Sequence, residues 1–520
     1  MIESAPIDQT IRPGEAAYNN RRRAKADKLS GPVMDKNSIP AHYAWLMLAI
    51  VLGLVLYYDL ADPNHKTPTT LVYSSLTFMA SCLPMFIFLK RGKVYQVPAF
   101  EAHCMFYAIA FGLAGYMPIP PITATIVSSE ADMDAALGVT LLGMAGLLAG
   151  YYLVGTKLLK KVKPIHPGQG IPGQKIEILG WLFCCVGGAV RILSHEIASV
   201  GQIGGYVYAL GFFLLIILTL EKRASLFTSV LTLAVIVPVE VLINSGLNNG
   251  QLAGVVTLAC WVSLVILRIW RRISLLLLAG AFVFFIILQP VKFYVRDLSW
   301  NQGVAMGPVD TMEAYATGFQ QVYGTSKAMI NDSKDNFENS FARINHLATT
   351  ASIIRDTPNP QPYQMGATYM PLFTKWIPRM FWPDKPVEGT GHEWAMRYGY
   401  LGEEDSGTSF NLPWLPEMYM NFGWPGVFGL MFLLGIIFRL LWSWLMGSAG
   451  RPLEYAVAIV FAQSLVFAES NFSLMFGGII VFAIILVLLL LMARLLGFYE
   501  TPAVSARRAG TQPSREQGGA

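Results

Sequence analysis

Residues 473–493 read SLMFGGIIVFAIILVLLLLMA and carry no charged side chain. Wound as a helix rising about 1.5 Å per residue, such a run covers a hydrocarbon core of roughly 30 Å. It lacks the alternation of apolar and polar residues that a membrane β-barrel strand requires. Working outward, comparable runs recur at approximately 41–60, 69–89, 98–117, 135–156, 176–194, 198–220, 224–243, 251–267, 273–290, 416–438 and 453–470. The composition agrees: the 520-residue chain is 54% apolar and 14% charged, with a mean hydropathy of +0.47. These values depart from soluble globular usage. The expected fold is all-α, a polytopic membrane protein of about twelve transmembrane helices.

The connections between the runs alternate in charge. One set holds Lys90, Arg91 and Lys93; Lys157, Lys160, Lys161, Lys163 and Lys175; Lys222 and Arg223; Arg268, Arg271 and Arg272; and Arg439 and Arg451. The other set has only Lys66 near 59–68 and no cation near 118–134, 244–250 or 469–472. Cytoplasmic loops are enriched in Lys and Arg, so the first set is expected inside. The layout that follows is a basic cytoplasmic arm over 1–40, helices one to nine over 41–290, a large extracytoplasmic loop over 291–415, helices ten to twelve over 416–495, and a cytoplasmic tail over 496–520. The expected location is the cytoplasmic (inner) membrane, multi-pass, with both termini cytoplasmic. No convincing small-residue cleavage site follows the first run, which reads as a retained anchor. The arm, with Arg12, Arg21, Arg22, Arg23, Lys25, Lys28 and Lys36, suits anionic membrane lipids.

Several chemistries are disfavoured. Cys82, Cys104, Cys184, Cys185 and Cys260 all fall in apolar runs and suggest neither a disulfide framework nor a metal site. His195-Glu196 and His392-Glu393 lack the second histidine of a zinc HExxH site, and no phosphate-binding glycine loop supports an ATP-driven pump. Asp132-Met-Asp134 has a spacing that some membrane glycosyltransferases use for a cation, but such a pair is usually a loop detail. Topology accounts for the net charge of +5, leaving nothing that points to nucleic acid. No metal and no cofactor are expected.

The ionisable residues of the helices gather near one side. Arg191, His195, Glu196, Glu240, Glu417 and Glu469 lie near expected outer ends, and the inner half is almost uncharged. Such groups are costly at membrane depth and often functional, although charges near helix ends can also simply meet headgroups and water. The long loop reads as folded and partly helical. From Asp335 to Ile354, Phe337, Phe341, Ile344, Ala348 and Ala351 repeat at helical spacing, with Asn339, Arg343, His346 and Thr350 opposite. That opposite face suits either a ligand or solvent. In the run 366–386, GATYMPLFTKWIPRMFWPDKP, Trp376, Phe381 and Trp382 surround Arg379 and Lys385. Aromatics prefer the headgroup level, where these cations would meet lipid-linked phosphates or ordinary phospholipids. In 413–426, PWLPEMYMNFGWPG, Glu417 and Asn421 share one side of a helix, and Gly423, Pro425 and Gly426 suggest a kink. The helix dipole alone also favours a carboxylate at Glu417.

The runs GATYMPLFTKWIPRMFWPDKP and EMYMNFGWPG resemble the oligosaccharide repeat unit polymerases, the Wzy-type polymerases of bacterial O-antigen and exopolysaccharide. The resemblance spans roughly residues 340 to 430. It implies a metal-independent glycosyltransferase that moves a glycan from undecaprenyl pyrophosphate to the end sugar of another lipid-linked oligosaccharide. Such chemistry needs cations for the pyrophosphate and a base near the acceptor hydroxyl. The resemblance suggests Arg343, Arg379 and Lys385 for the pyrophosphate, with Arg191 as a further cation and Asn421 as a substrate contact. Glu417 is the expected base, with His346 or His195 in reserve. A flippase and a chain-length regulator are the implied protein partners. Two rival readings are an O-antigen ligase-type transferase and a twelve-helix secondary transporter.

Overall fold

The computed structural model describes residues 38–61, 65–118, 129–193, 198–244, 253–296, 298, 308–324, 344–374, 377, 382, 384, 389–405, 408–466 and 468–500. A helix stands at each apolar run. In chain order these are α1 (His42–Ala61), α2 (Pro68–Arg91), α3 (Ala99–Tyr107), α4 (Glu130–Leu148), α5 (Gly173–Leu193), α6 (Ala198–Leu220), α7 (Leu226–Leu231), α8 (Ala253–Trp270) and α9 (Leu275–Arg296). The polar stretch that follows contributes α10 (Pro308–Tyr323), α11 (Leu347–Asp356), α12 (Pro371–Thr374) and α13 (Thr390–Arg397). The last three are α14 (Trp414–Trp444), α15 (Pro452–Val466) and α16 (Phe472–Leu495). Among the described residues there is no β-strand. Among the described residues eight helices are long and apolar enough to cross a membrane by length and composition. Those at Leu226–Val241, Gly254–Trp270 and Pro452–Val466 are apolar but shorter.

Local chemistry sets the helix ends. Thr67 accepts from the Thr70 amide and is followed by Pro68, whose missing N–H costs nothing in the first turn. Ser129 caps α4 in the same way through the Asp132 amide. α3 and α4 each run into a π-helical turn, Ala108–Gly112 and Ala149–Gly155, and α7 does so at Thr232–Ile236.

Helices in lipid gain little from hydrophobic burial against one another, so close packing depends on small residues at the contact. Two pairs show this. α5 and α6 pack at Gly187 against the backbone of Tyr208 and at Gly211 against that of Cys184. α4 and α14 meet where Gly150 lies on the Phe432 carbonyl and Gly435 on that of Leu147. A side chain at any of these four positions would collide with main chain.

The described parts of the polar stretch between α9 and α14 pack on the helices of the bundle. α10 lies along α9 through Val291, Val295, Ala314 and Tyr315, with the Tyr323 hydroxyl donating to the Ile287 carbonyl at 2.9 Å. α11 is driven into the bundle: Leu347, Ala348, Thr350 and Ala351 are fully buried, packed against α4 and α14. A small core of Ile353, Trp394, Ala395, Tyr398, Leu412 and Met420 ties α13 to the start of α14.

The sequence expectation of one helix from Asp335 to Ile354 needs correction. Its first part, 335–343, lies outside the described residues, and residues 344–346 are not helical. The helix begins at Leu347 because the Asn345 side chain accepts from the amides of Leu347 and Ala348, at 3.1 and 3.4 Å. The expected polar face is not a solvated one, since Thr350 is fully buried and His346 is 6% exposed. The expectation of an almost uncharged inner half meets one buried carboxyl group, Glu101 near the start of α3.

Candidate functional site at the mouth of α14

The site is organised by a break in α14. Gly423 sits at φ 65°, ψ −162°, a backbone region that essentially only glycine occupies. The kink there interrupts the hydrogen-bond ladder, and Pro425 has no N–H to offer the Asn421 carbonyl four residues earlier. Carbonyls freed in this way are costly inside a membrane protein unless another group takes them. Residues 364 and 365 do so. The Gln364 amide donates to the Met420 carbonyl at 3.0 Å and the Met365 amide to the Asn421 carbonyl at 3.2 Å.

Asn421 completes the clamp with its side chain. Its Oδ1 accepts from the Gly366 amide, and its Nδ2 donates both to Thr368 Oγ1 and to the Glu417 carbonyl, each at 2.8 Å. Gly366 lies at φ 92°, in the left-handed region, which lets the chain turn so that Thr368 and Tyr369 come back over α14. Both amide protons of Asn421 are spent on the protein itself. The geometry therefore gives Asn421 a positioning role, in contrast to the substrate contact expected for it. Replacing it with leucine is expected to lower stability by about 1–3 kcal/mol, since buried donors and acceptors lose their partners. Asn421→Asp, which keeps the acceptor for Gly366 but turns a carboxylate oxygen toward the Glu417 carbonyl, should lose at least as much. Thermal melting of the purified protein checks the order.

Beneath this clamp lies a set of ionisable and hydroxyl-bearing groups. Glu417 is fully buried, and its Oε2 accepts from the Phe472 amide at 2.6 Å, capping the first turn of α16. Tyr369 packs on Phe422 and Phe472, with ring centroids 6.3 and 5.7 Å apart. Its hydroxyl is buried without a hydrogen-bond partner among the described residues. Burial, together with the Glu417 carboxylate, holds its acidity well below that of a free phenol, so it stays protonated. Nearer the surface, His346 Nε2 is 3.9 Å from Glu469 Oε1, their side chains 8% and 17% exposed. Asn411 donates to the same carboxylate oxygen at 2.6 Å. The His346 amide donates to the Ala110 carbonyl at 3.1 Å, within the π-helical turn of α3, and the ring lies against Phe106.

Of the residues singled out from sequence, Glu417 and Asn421 are joined at this mouth, and His346 immediately precedes α11, which packs on α14. Arg191 is elsewhere, stacked over Tyr208 of α6 and 3.9 Å from Glu240. His195, Arg343, Arg379 and Lys385 lie outside the described residues. Asp134 accepts from the Thr70 hydroxyl at 2.5 Å, which ties α4 to α2. Among the described residues no three His, Cys, Asp or Glu side chains converge as a metal site would require. Sequence reasoning passed over Glu469 as one outer-end charge among several, and missed Tyr369 and Asn411. The distance between 346 and 469 along the chain hides their pairing, although Glu469 sits in an apolar stretch where a charge is expensive.

A buried carboxylate, a protonated phenol and a histidine facing a second carboxylate, residue types that acid–base chemistry uses, thus lie at one end of the bundle. A family model described as "Domain of unknown function (DUF8712)" matches residues 124–497, from the foot of α4 to the end of α16. No curated protein and no solved structure matches the chain.

Proposed function

This chain belongs to the DUF8712 family, and we propose that it is a membrane glycan polymerase. In this reading twelve helices cross the cytoplasmic membrane, both termini are cytoplasmic, and the α14 mouth opens on the outer face. The substrates are oligosaccharide repeat units on undecaprenyl pyrophosphate. The acceptor sugar hydroxyl attacks the donor's anomeric carbon, the bond from that carbon to the phosphate oxygen breaks, and the pyrophosphate leaves with the electron pair. The hydroxyl proton passes to a base on the protein.

The observation that carries this reading is the meeting of the two stretches that resemble the Wzy-type polymerases. Residues 364–369 and 417–426 close on each other, and Glu417 of the second stretch holds the Phe472 amide, three residues beyond the Glu469 that faces His346. His346 suits the base better than Glu417, because Glu417 is fully enclosed and already caps α16, whereas His346 faces a carboxylate that can orient it. Glu417 then acts as a positioning residue. Arg343, Arg379 and Lys385 would neutralise the pyrophosphate, for which a guanidinium fork is well shaped.

The test is glycan size profiling of a deletion strain, rescued by wild type and by Arg379→Ala. The expected deletion phenotype is display of single repeat units, with long chains restored by wild type and not by the variant. Long chains accumulating on the carrier lipid would instead indicate a ligase. Unaltered profiles in all three strains would overturn the enzymatic reading.

A further inference from the structure

α4 and α14 run side by side away from the mouth, and at their far ends they frame a second concavity. It has a volume of about 510 Å³ and is walled by Thr156 and Lys157, which follow the π-helical turn beyond α4, by the chain after them, and by the last turns of α14. Lys157, Lys160 and Arg439 line it together with Ser443, Ser448 and the Trp442 ring. Among the described residues no acidic side chain does. From Glu417 to Arg439 along α14 is roughly 33 Å at 1.5 Å per residue, so this pocket is distinct from the acid–base centre.

The pocket is built, since its parts are fixed from outside. The Arg439 guanidinium lies 4.4 Å from the Trp442 ring centroid and 5.5 Å from that of Tyr151, which aims it. Its buried Nε has no hydrogen-bond partner among the described residues. Buried Glu101 interacts with Arg439 electrostatically but does not line the pocket, and neither lysine has a salt-bridge partner among the described residues. The Ile165 amide donates to the Trp444 carbonyl at 2.7 Å, pinning the far wall to α14.

Three cations drawn into one concavity repel one another, and the Ser448 hydroxyl beside them adds a donor, while that of Ser443 donates to the Arg439 carbonyl at 2.9 Å. A tryptophan wall is typical of the membrane interface. The end of the bundle concerned is the one the charge pattern assigns to the cytoplasm, where basic pockets between helices meet anionic headgroups. We propose that this pocket binds a phosphate-bearing anion, supplied either by the headgroup of an anionic phospholipid or by a soluble phosphate.

The test uses the full-length protein purified in detergent, with thermal melting as the readout. It is titrated with phosphatidylglycerol, with phosphatidylcholine, and separately with inorganic pyrophosphate. Stabilisation by phosphatidylglycerol over phosphatidylcholine is expected, its midpoint weakened about tenfold or more in Lys157→Gln/Lys160→Gln. The control is Lys161→Gln/Lys163→Gln, which removes the same charge from the same stretch outside the pocket and should leave the midpoint unchanged. Stabilisation by pyrophosphate alone, lost in the first double variant only, supports the site and names a soluble source. Equal responses to both lipids with none to pyrophosphate would overturn the proposal. So would equal losses in the two double variants, since those would reflect diffuse charge attraction.

Discussion

His346→Ala is expected to reduce extension of purified lipid-linked repeat units by about 10²–10⁴-fold, the range associated with removing a general base. The protein should still fold. The ring is held by contact with Phe106 and by facing Glu469, while the hydrogen bonds that fix α11 in the bundle come from the His346 main chain. Alanine preserves those main-chain bonds. Glu469→Gln should cause a smaller loss, because glutamine can still accept from Asn411 but no longer presents a charge to His346. Glu417→Gln separates the two acid–base candidates: its side-chain oxygen can still cap the Phe472 amide, so a positioning role predicts near-normal extension. A collapse of extension in Glu417→Gln at unchanged Tm, with His346→Ala active, would reverse the assignment.

The helices were legible because one physical signal, an apolar run long enough to span hydrocarbon, marks each of them without reference to any neighbour. The site was legible only in parts, and for a reason specific to it. Gly423 and Pro425 announce a kink, since both act on their own backbone, and the kink is there. What the kink accomplishes depends on a partner. The carbonyls of Met420 and Asn421 are taken by a segment more than fifty residues earlier, which nothing in a periodicity can reveal. Asn421 illustrates the consequence: a polar residue near a carboxylate reads as a ligand contact, but here its amide is consumed in holding residues 366–368. The start of α11 was missed for the same kind of reason. Apolar spacing continues through Ile344, so the pattern reports a face but not an end, and the Asn345 cap decides the end.

Gly423→Ala should be the most damaging single-methyl change in α14. At φ 65° and ψ −162° an alanine is strained by about 1–3 kcal/mol. Its methyl would also come 2.8 Å from the Tyr363 hydroxyl, so that side chain must move. The alternative is for the helix to straighten, but straightening would reclaim the Met420 carbonyl from Gln364 and pull residues 364–366 off the helix. Either response lowers stability and loosens the clamp together, so Tm and glycan extension should both fall. Gly429→Ala is the matched control, six residues further along the same helix in open space, with no neighbouring atom within 4 Å of an added methyl. There alanine should be neutral or stabilise by a few tenths of a kcal/mol to about 1 kcal/mol, as in any regular helical turn. Equal Tm values for the two variants would mean that the kink at Gly423 does not hold the loop, and that the coupling of the two motif stretches has another cause.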